Sequence, residues 1–290
     1  MARTIKIGTR KSALALAQAK MVQSLINKKF PHIKTELVLM TTKGDKITDK
    51  PLIEVGGKGV FIAEFEKSLL EGGTDIAVHS AKDLDDIADG LTIGAVLKRG
   101  NPKDVLVTLE GRHIEKNENA VIGTGSLRRI AQIQNIFPSC TCKGLRGNVD
   151  TRLKKLKNGE YDGIILAAAG LERLGINESD GYEFKYFNEN EFVPAACQAI
   201  IAIECRRDDD FTKGILSQIN DEKTMLSFKI ERELLSLLGA DCHEAAGIYS
   251  QINGESIEIT AFYKNSGIKK MTAPKSDLEN LLKHMAGELK

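Results

Sequence analysis

Apolar residues along this chain follow two alternating rhythms, one of period two and one of helical period. Thr4-Ile5-Lys6-Ile7-Gly8 alternates as a half-buried strand, and a helix follows near Ser12–Lys28. A strand is predicted at Thr35–Met40. Gly56-Gly57-Lys58-Gly59 then opens a helix from Val60 to Leu70, and Asp75-Ile76-Ala77-Val78 is a short buried strand ending in His79-Ser80-Ala81-Lys82-Asp83. After an apolar strand, turn residues cluster at Gly100-Asn101-Pro102, which reads as a crossing between domains. The pattern then restarts. A strand at 120–123 leads into the helix start Thr124-Gly125-Ser126-Leu127-Arg128-Arg129, and a charged helix around Asp150–Lys157 precedes a buried strand at 164–167. Phe192-Val193-Pro194 marks a second crossing, and Ala199–Ile203 is a strand able to rejoin the first domain. A helical stretch Lys213–Leu238 leads to Ala245–Gln251, Ser256–Phe262 and a final helix near Lys275–Leu289.

Strands alternating with helices predict an α/β fold with a largely parallel or mixed sheet. Two crossings between α/β lobes are the layout of hinged proteins that hold ligands at the carboxyl ends of strands. The last segment predicts a smaller C-terminal α+β domain. The 290 residues are enough for two or three cores.

A formal net charge of +1 excludes the strongly basic balance of a general nucleic-acid binder. No stretch has the apolar length of a bilayer span. Gln18 and Lys20 interrupt the run Ala13-Leu14-Ala15-Leu16-Ala17, so the N-terminal segment reads as strand, turn and helix rather than an export signal. Cysteines at 140, 142, 197, 205 and 242 form neither a disulfide framework nor a structural zinc pattern, which predicts free thiols in a reducing, cytoplasmic compartment and no metal.

Arginines at 128, 129, 146, 152 and 173 gather between the two crossings. Arg128 and Arg129 sit at a helix start, where free N–H groups and the dipole favour anions. Guanidinium forks bind carboxylates bidentately, so the set suits a ligand with several anionic groups; a solvated face with local ion pairs accounts for the pattern equally well. The Gly56–Gly59 loop lacks Walker spacing and reads first as a turn before a helix, with Lys58 a possible contact. Asp83 lies where open α/β sheets place catalytic groups. A carboxylate there suits a developing cation, although on pattern alone Ser80 or Asp83 reads as a helix N-cap. Cys242, in Gly239-Ala240-Asp241-Cys242-His243, is a loop thiol and hence a candidate nucleophile; a small packed cysteine is the commoner case.

Taken together, several segments resemble the porphobilinogen deaminase (hydroxymethylbilane synthase) family. They are Ile7-Gly8-Thr9-Arg10-Lys11-Ser12, Gly56–Gly59, Asp75–Ser80 with Lys82-Asp83, Gly123–Arg129, Arg146-Gly147-Asn148-Val149-Asp150-Thr151-Arg152 and Leu166-Ala167-Ala168-Ala169-Gly170-Leu171. Their order and spacing hold across nearly the whole chain. The resemblance implies two lobes like those of type II periplasmic binding proteins plus the smaller C-terminal domain. The expected divisions are 1–98 with 196–216 (domain 1), 99–195 (domain 2) and 217–290 (domain 3). It also implies a dipyrromethane cofactor held covalently through a thioether at Cys242, and a reaction joining four porphobilinogens head to tail with release of ammonia. Asp83 would then be catalytic. Lys82, Thr124, Ser126, Arg128, Arg129 and Arg146 would contact the cofactor, and Arg10, Ser12, Lys58, Arg152 and Arg173 the substrate. A monomer acting on a small pyrrole, with no nucleic acid or membrane partner, is the expected state. A non-enzymatic anion- or pyrrole-binding relative is the alternative.

Three places depart from the family pattern. Leu84-Asp85-Asp86 replaces the usual proline after the carboxylate and crowds acids around Asp83. Cys197 and Ala199 stand where glycines are expected around Gln198, positions that serve close approach or positive φ. Around Cys242, the preceding glycine and following proline are missing.

Overall fold

The computed structural model describes residues 3–41, 62–84, 86–114, 119–240, 244–264 and 266–290. They divide into two compact units, residues 1–99 with 200–225 and residues 100–199 with 226–290.

In the first unit the strands β1 (Thr4–Arg10), β2 (Lys34–Met40), β3 (Ile76–Ser80), β4 (Leu91–Val96) and β10 (Ile201–Arg206) form a five-stranded sheet in the order β2-β1-β3-β10-β4. β1 pairs in parallel with β2 and β3, and β10 runs antiparallel to β3 and β4. The alternation at Ile5 and Ile7 turns both into the core. Helix α1 (Ala13–Lys29) covers that face with Ala19, Val22 and Ile26, all inaccessible to solvent. Full burial stabilises each large aliphatic side chain by roughly 1.5–3 kcal/mol. Ser12 caps α1, its Oγ accepting from the Ala15 amide at 3.3 Å, and Lys28 and Lys29 in the last turn suit the helix dipole. Helix α2 (Ala63–Leu70) packs Phe65 and Leu69 on the other side of the sheet, beside Ala77 and Leu91. Its predicted beginning at Val60 and the Gly56–Gly59 loop lie outside the described residues.

The second unit repeats the topology. Strands β5 (Asp104–Leu109), β6 (Val121–Gly123), β7 (Thr141–Lys143), β8 (Gly163–Ala167) and β9 (Tyr182–Tyr186) are ordered β7-β6-β8-β5-β9. β6 is parallel to β7 and β8, while β5 is antiparallel to β8 and β9. In both sheets three parallel strands ordered 2-1-3 are followed by one antiparallel strand, which comes directly after a crossing in sequence. Each sheet thus has the strand order that the resemblance implies for a single lobe of a type II periplasmic binding protein. Helices α3 (Leu127–Ile136), α4 (Val149–Lys157) and α5 (Ala168–Leu174) flank the second sheet.

The unit also contains an antiparallel sheet, β11 (Ala246–Asn253), β12 (Ser256–Tyr263) and β13 (Ile268–Pro274), with its own core against helix α8 (Leu278–Leu289).

Two expectations need correction, and four strands were not predicted. The stretch Lys213–Leu238 is two helices, α6 (Asp210–Ser217) and α7 (Glu222–Leu238), because Asn220 and Asp221 turn their side chains onto backbone amides. Asn220 accepts from Val96 and Asp221 from Thr224. The strand placed at Ala199–Ile203 begins only at Ile201, since Cys197 (φ 60°) and Ala199 (φ 69°) are left-handed. β5, β7, β9 and β13 had no clear signal. β13 has no fully buried residue, and its run Lys269-Lys270-Met271-Thr272 carries little apolar patterning.

Candidate active site

Strand β3 is apolar and buried, and its end turns through a single 3-10 turn, residues 81–83. Ala81 and Leu84 anchor the turn in the core, the Ala81 amide donating to the Ile200 carbonyl at 3.0 Å. Asp83 is thereby left exposed, with no hydrogen bond or ion pair among the described residues. The capping role that the pattern favoured is not what forms. Ser80 precedes the turn, but its Oγ pairs with the Gln18 amide at 2.9 Å instead of capping it. Lys82 is half-buried beside Asp83, and Arg10 is half-buried at the end of β1. Ser12 spends its hydroxyl as the α1 cap. Beneath the turn lies a buried pair that the sequence gave no reason to single out. His79 Nε2 is 3.0 Å from Glu204 Oε2, the His79 ring meets Phe65 edge-on at 5.5 Å, and Glu204 Oε1 is buried without a partner among the described residues.

In the second unit the loop 123–126 delivers the arginines. Thr124 is buried; its amide donates to Lys143 O at 2.9 Å, and its Oγ1 accepts from the Ser126 amide at 3.2 Å. Ser126 is the N-cap residue of α3 without a side-chain cap bond. Arg128 and Arg129 are buried, not solvated, and share one carboxylate. Arg128 Nη1 meets Asp104 Oδ2 at 2.7 Å, and Arg129 Nε and Nη2 meet Asp104 Oδ1 at 3.0 and 2.7 Å. Backbone oxygens complete the arrangement, Val193 O for Arg128 at 2.7 Å and Ile165 O for Arg129 at 2.8 Å. Burial pulls the Arg128 guanidinium below the usual arginine value, against Asp104, which raises it. Asp104 is the organising residue, and only its place in the fold reveals it. The two guanidiniums and one carboxylate together carry a net +1 in a buried setting.

Arg146 carries the clearest ligand signal. Its Nη1 is buried with no hydrogen-bond partner among the described residues. A buried donor left unmet costs about 1–3 kcal/mol, more when charged. Arg152 reaches back to the Gly147 carbonyl through Nε at 2.7 Å. Gly147 (φ 114°) makes that bend before α4 possible, and a Cβ there would sit 2.8 Å from Thr151 Cγ2. Arg173 donates from Nη2 to the Ala199 carbonyl at 2.6 Å, and burial lowers its pKa while Glu172 raises it. Gln198 is fully buried and donates to Pro102 O at 2.7 Å; the left-handed residues on either side aim it there. Lys58 and Cys242 lie outside the described residues.

Residues 5–214 match the family model described as porphobilinogen deaminase, dipyromethane cofactor binding domain. A porphobilinogen deaminase of Acetivibrio thermocellus is 46% identical over 271 residues, covering 92% of this chain and 91% of that protein. Those of Alkaliphilus metalliredigens and Brevibacillus brevis are 41% and 43% identical, covering 91% and 88% of this chain and 83% and 82% of theirs. Among solved structures, the periplasmic aliphatic sulphonate binding protein SsuA from Escherichia coli is 15% identical with a TM-score of 0.43, over 81% of this chain and 70% of that one. By the family model and these relatives, this chain belongs to the porphobilinogen deaminase family.

Proposed function

We propose that the chain joins four porphobilinogens head to tail into hydroxymethylbilane, releasing ammonia, in tetrapyrrole biosynthesis. The match over nine-tenths of the chain to porphobilinogen deaminases carries this reading. The residues fit a dipyrromethane. Its acetate and propionate groups are the acceptors that the unmet Arg146 Nη1 lacks, and the cationic Arg128–Arg129–Asp104 group offers a second anchor. When bound, a dipyrromethane supplies a terminal pyrrole carbon as the acceptor for the first substrate. Cys242 is proposed as its thioether anchor, with Lys82, Thr124 and Ser126 as further contacts.

Asp83 is proposed to do the proton and charge work. Loss of ammonia from porphobilinogen leaves an electron-poor methylene pyrrole with positive charge at the ring nitrogen. An exposed carboxylate with no competing partner among the described residues accepts a hydrogen bond from that N–H and stabilises the cation. After the new carbon–carbon bond forms, the same carboxylate assists removal of the α-proton of the attacked ring. Each addition brings two more carboxylates. Arg10, Ser12, Lys58, Arg152 and Arg173 are the proposed substrate contacts that neutralise and orient them.

The proposed domain division is 1–98 with 196–216, 99–195 and 217–290. Three observed sheets, each with its own core, support it. A cytoplasmic monomer without nucleic-acid partners is part of the same proposal. No helix among the described residues is long and apolar enough to cross a membrane.

Intact mass is the direct test. A covalent excess of two pyrrole units with a positive Ehrlich reaction, together with conversion of porphobilinogen to hydroxymethylbilane, is expected. Protein that stays unmodified after incubation with porphobilinogen and yields no hydroxymethylbilane would instead mark a binding protein. An adduct on a cysteine other than 242 would overturn that anchor.

A further inference from the structure

We propose that Cys140 and Cys142 form a two-thiol binding site for a thiophilic, two-coordinate cation, with Cu(I) the fitting ion. The two residues flank Thr141 at β7, the edge strand of the second unit's sheet. Strand alternation turns Thr141 outward and both cysteines inward, where they are half-buried against the Ile122–Ile133–Phe137 side of the core. Both side chains pack against that same part of the core.

Geometry separates the possible uses of such a pair. Residues two apart on one face of a strand have parallel Cβ directions and stand about 6.6 Å apart. A disulfide needs Cβ atoms about 3.5–4.5 Å apart, so oxidation would require the strand to buckle. Two sulfurs on opposite sides of a metal, with bonds of about 2.3 Å, are about 4.6 Å apart, which the strand spacing permits by rotation about χ1. Among the described residues no third His, Cys, Asp or Glu completes a set. Structural zinc, which takes four ligands, and calcium or magnesium, which take six or more oxygens, are therefore poorly matched. Soft thiolate ligation at low coordination number suits Cu(I). Burial raises both thiols, Cys142 to about 11, so the pair stays protonated and resists alkylation near neutrality. Binding then proceeds as two thiols plus Cu(I) giving a bis-thiolate complex and two released protons, with no change of oxidation state. β7 is followed by Gly144 and, two residues on, Arg146.

The test is titration of the full-length protein with Cu(I) under competition from bicinchoninate. One equivalent should be retained, and Cys140→Ser and Cys142→Ser should each weaken retention at least tenfold. In the unsubstituted protein, prolonged iodoacetamide treatment at about pH 9 should modify both cysteines when metal-free and neither with Cu(I) bound, read by peptide mass. Retention unchanged in both variants, or protection found at Cys197 or Cys205 instead, would overturn the assignment.

Discussion

Replacing Asp104 by Asn should destabilise the protein more than any single surface change, because one carboxylate holds two buried guanidiniums. Asp104 is fully inaccessible and receives three bonds of 2.7–3.0 Å from Arg128 and Arg129. Asparagine keeps the shape and one carbonyl acceptor but removes the charge, turning a buried net +1 into +2. At an effective dielectric near 20, two unit charges 4 Å apart interact by about 4 kcal/mol, and breaking a buried pair usually costs about 3–5 kcal/mol. Val193 O and Ile165 O still accept from the arginines, which keeps the loss from growing further. A chain of this size loses about 2–4 °C of Tm per kcal/mol, so a drop of roughly 6–20 °C is expected. Urea denaturation followed by circular dichroism gives the free energy directly. Adding Arg129→Met to Asp104→Asn removes one of the two unpaired cations and should recover at least about 1 kcal/mol. A loss below about 1 kcal/mol in the single variant, or no recovery in the double, would refute the argument that Asp104 is needed as a charge.

The strained turn at 197–199 makes a second test. Ala199→Gly relieves about 1–2 kcal/mol of left-handed strain but loses a buried methyl and gains unfolded-state entropy. Thermal melting should move by less than about 1 kcal/mol, whereas Ala199→Val, β-branched at φ 69°, should lose more than about 2. Asp209 gives an acid-limb prediction. Burial works to raise this carboxyl, but the Thr212 amide, Arg3, the Thr212 hydroxyl and Arg206 together hold it well below the usual carboxylate range. A depressed folded value contributes stability above the unfolded pKa of about 3.9 and loses it as pH falls further. Asp209→Asn should therefore cost about 1–3 kcal/mol at pH 7, with the gap to the unsubstituted protein closing as pH drops below about 4 in urea melts. Asp83→Asn should retain the covalent cofactor by mass while turnover of porphobilinogen falls by orders of magnitude. Near-normal turnover would remove Asp83 from its proposed role.

Period-two and helical alternation determined where most elements lie, because burying one face is a local demand that each segment writes in its own residues. The strands that escaped, β5, β7, β9 and β13, are short, at edges, or apolar without alternation. The ordered motifs likewise carried the family, and with it the proposed list of site residues. What each charged side chain does was decided only by the tertiary structure. Arg128 and Arg129 read equally well as an anion-binding helix start or as a solvated face with local ion pairs, until β5 brings Asp104 against them from 24 and 25 residues away. Asp83 read as a cap until the Ala81–Ile200 bond turned it out to solvent, and Arg146 showed its unmet donor only once its burial was known. Local patterns fix which face is buried. Partnership between polar groups depends on distances across the sheet, and those exist only after the chain has folded.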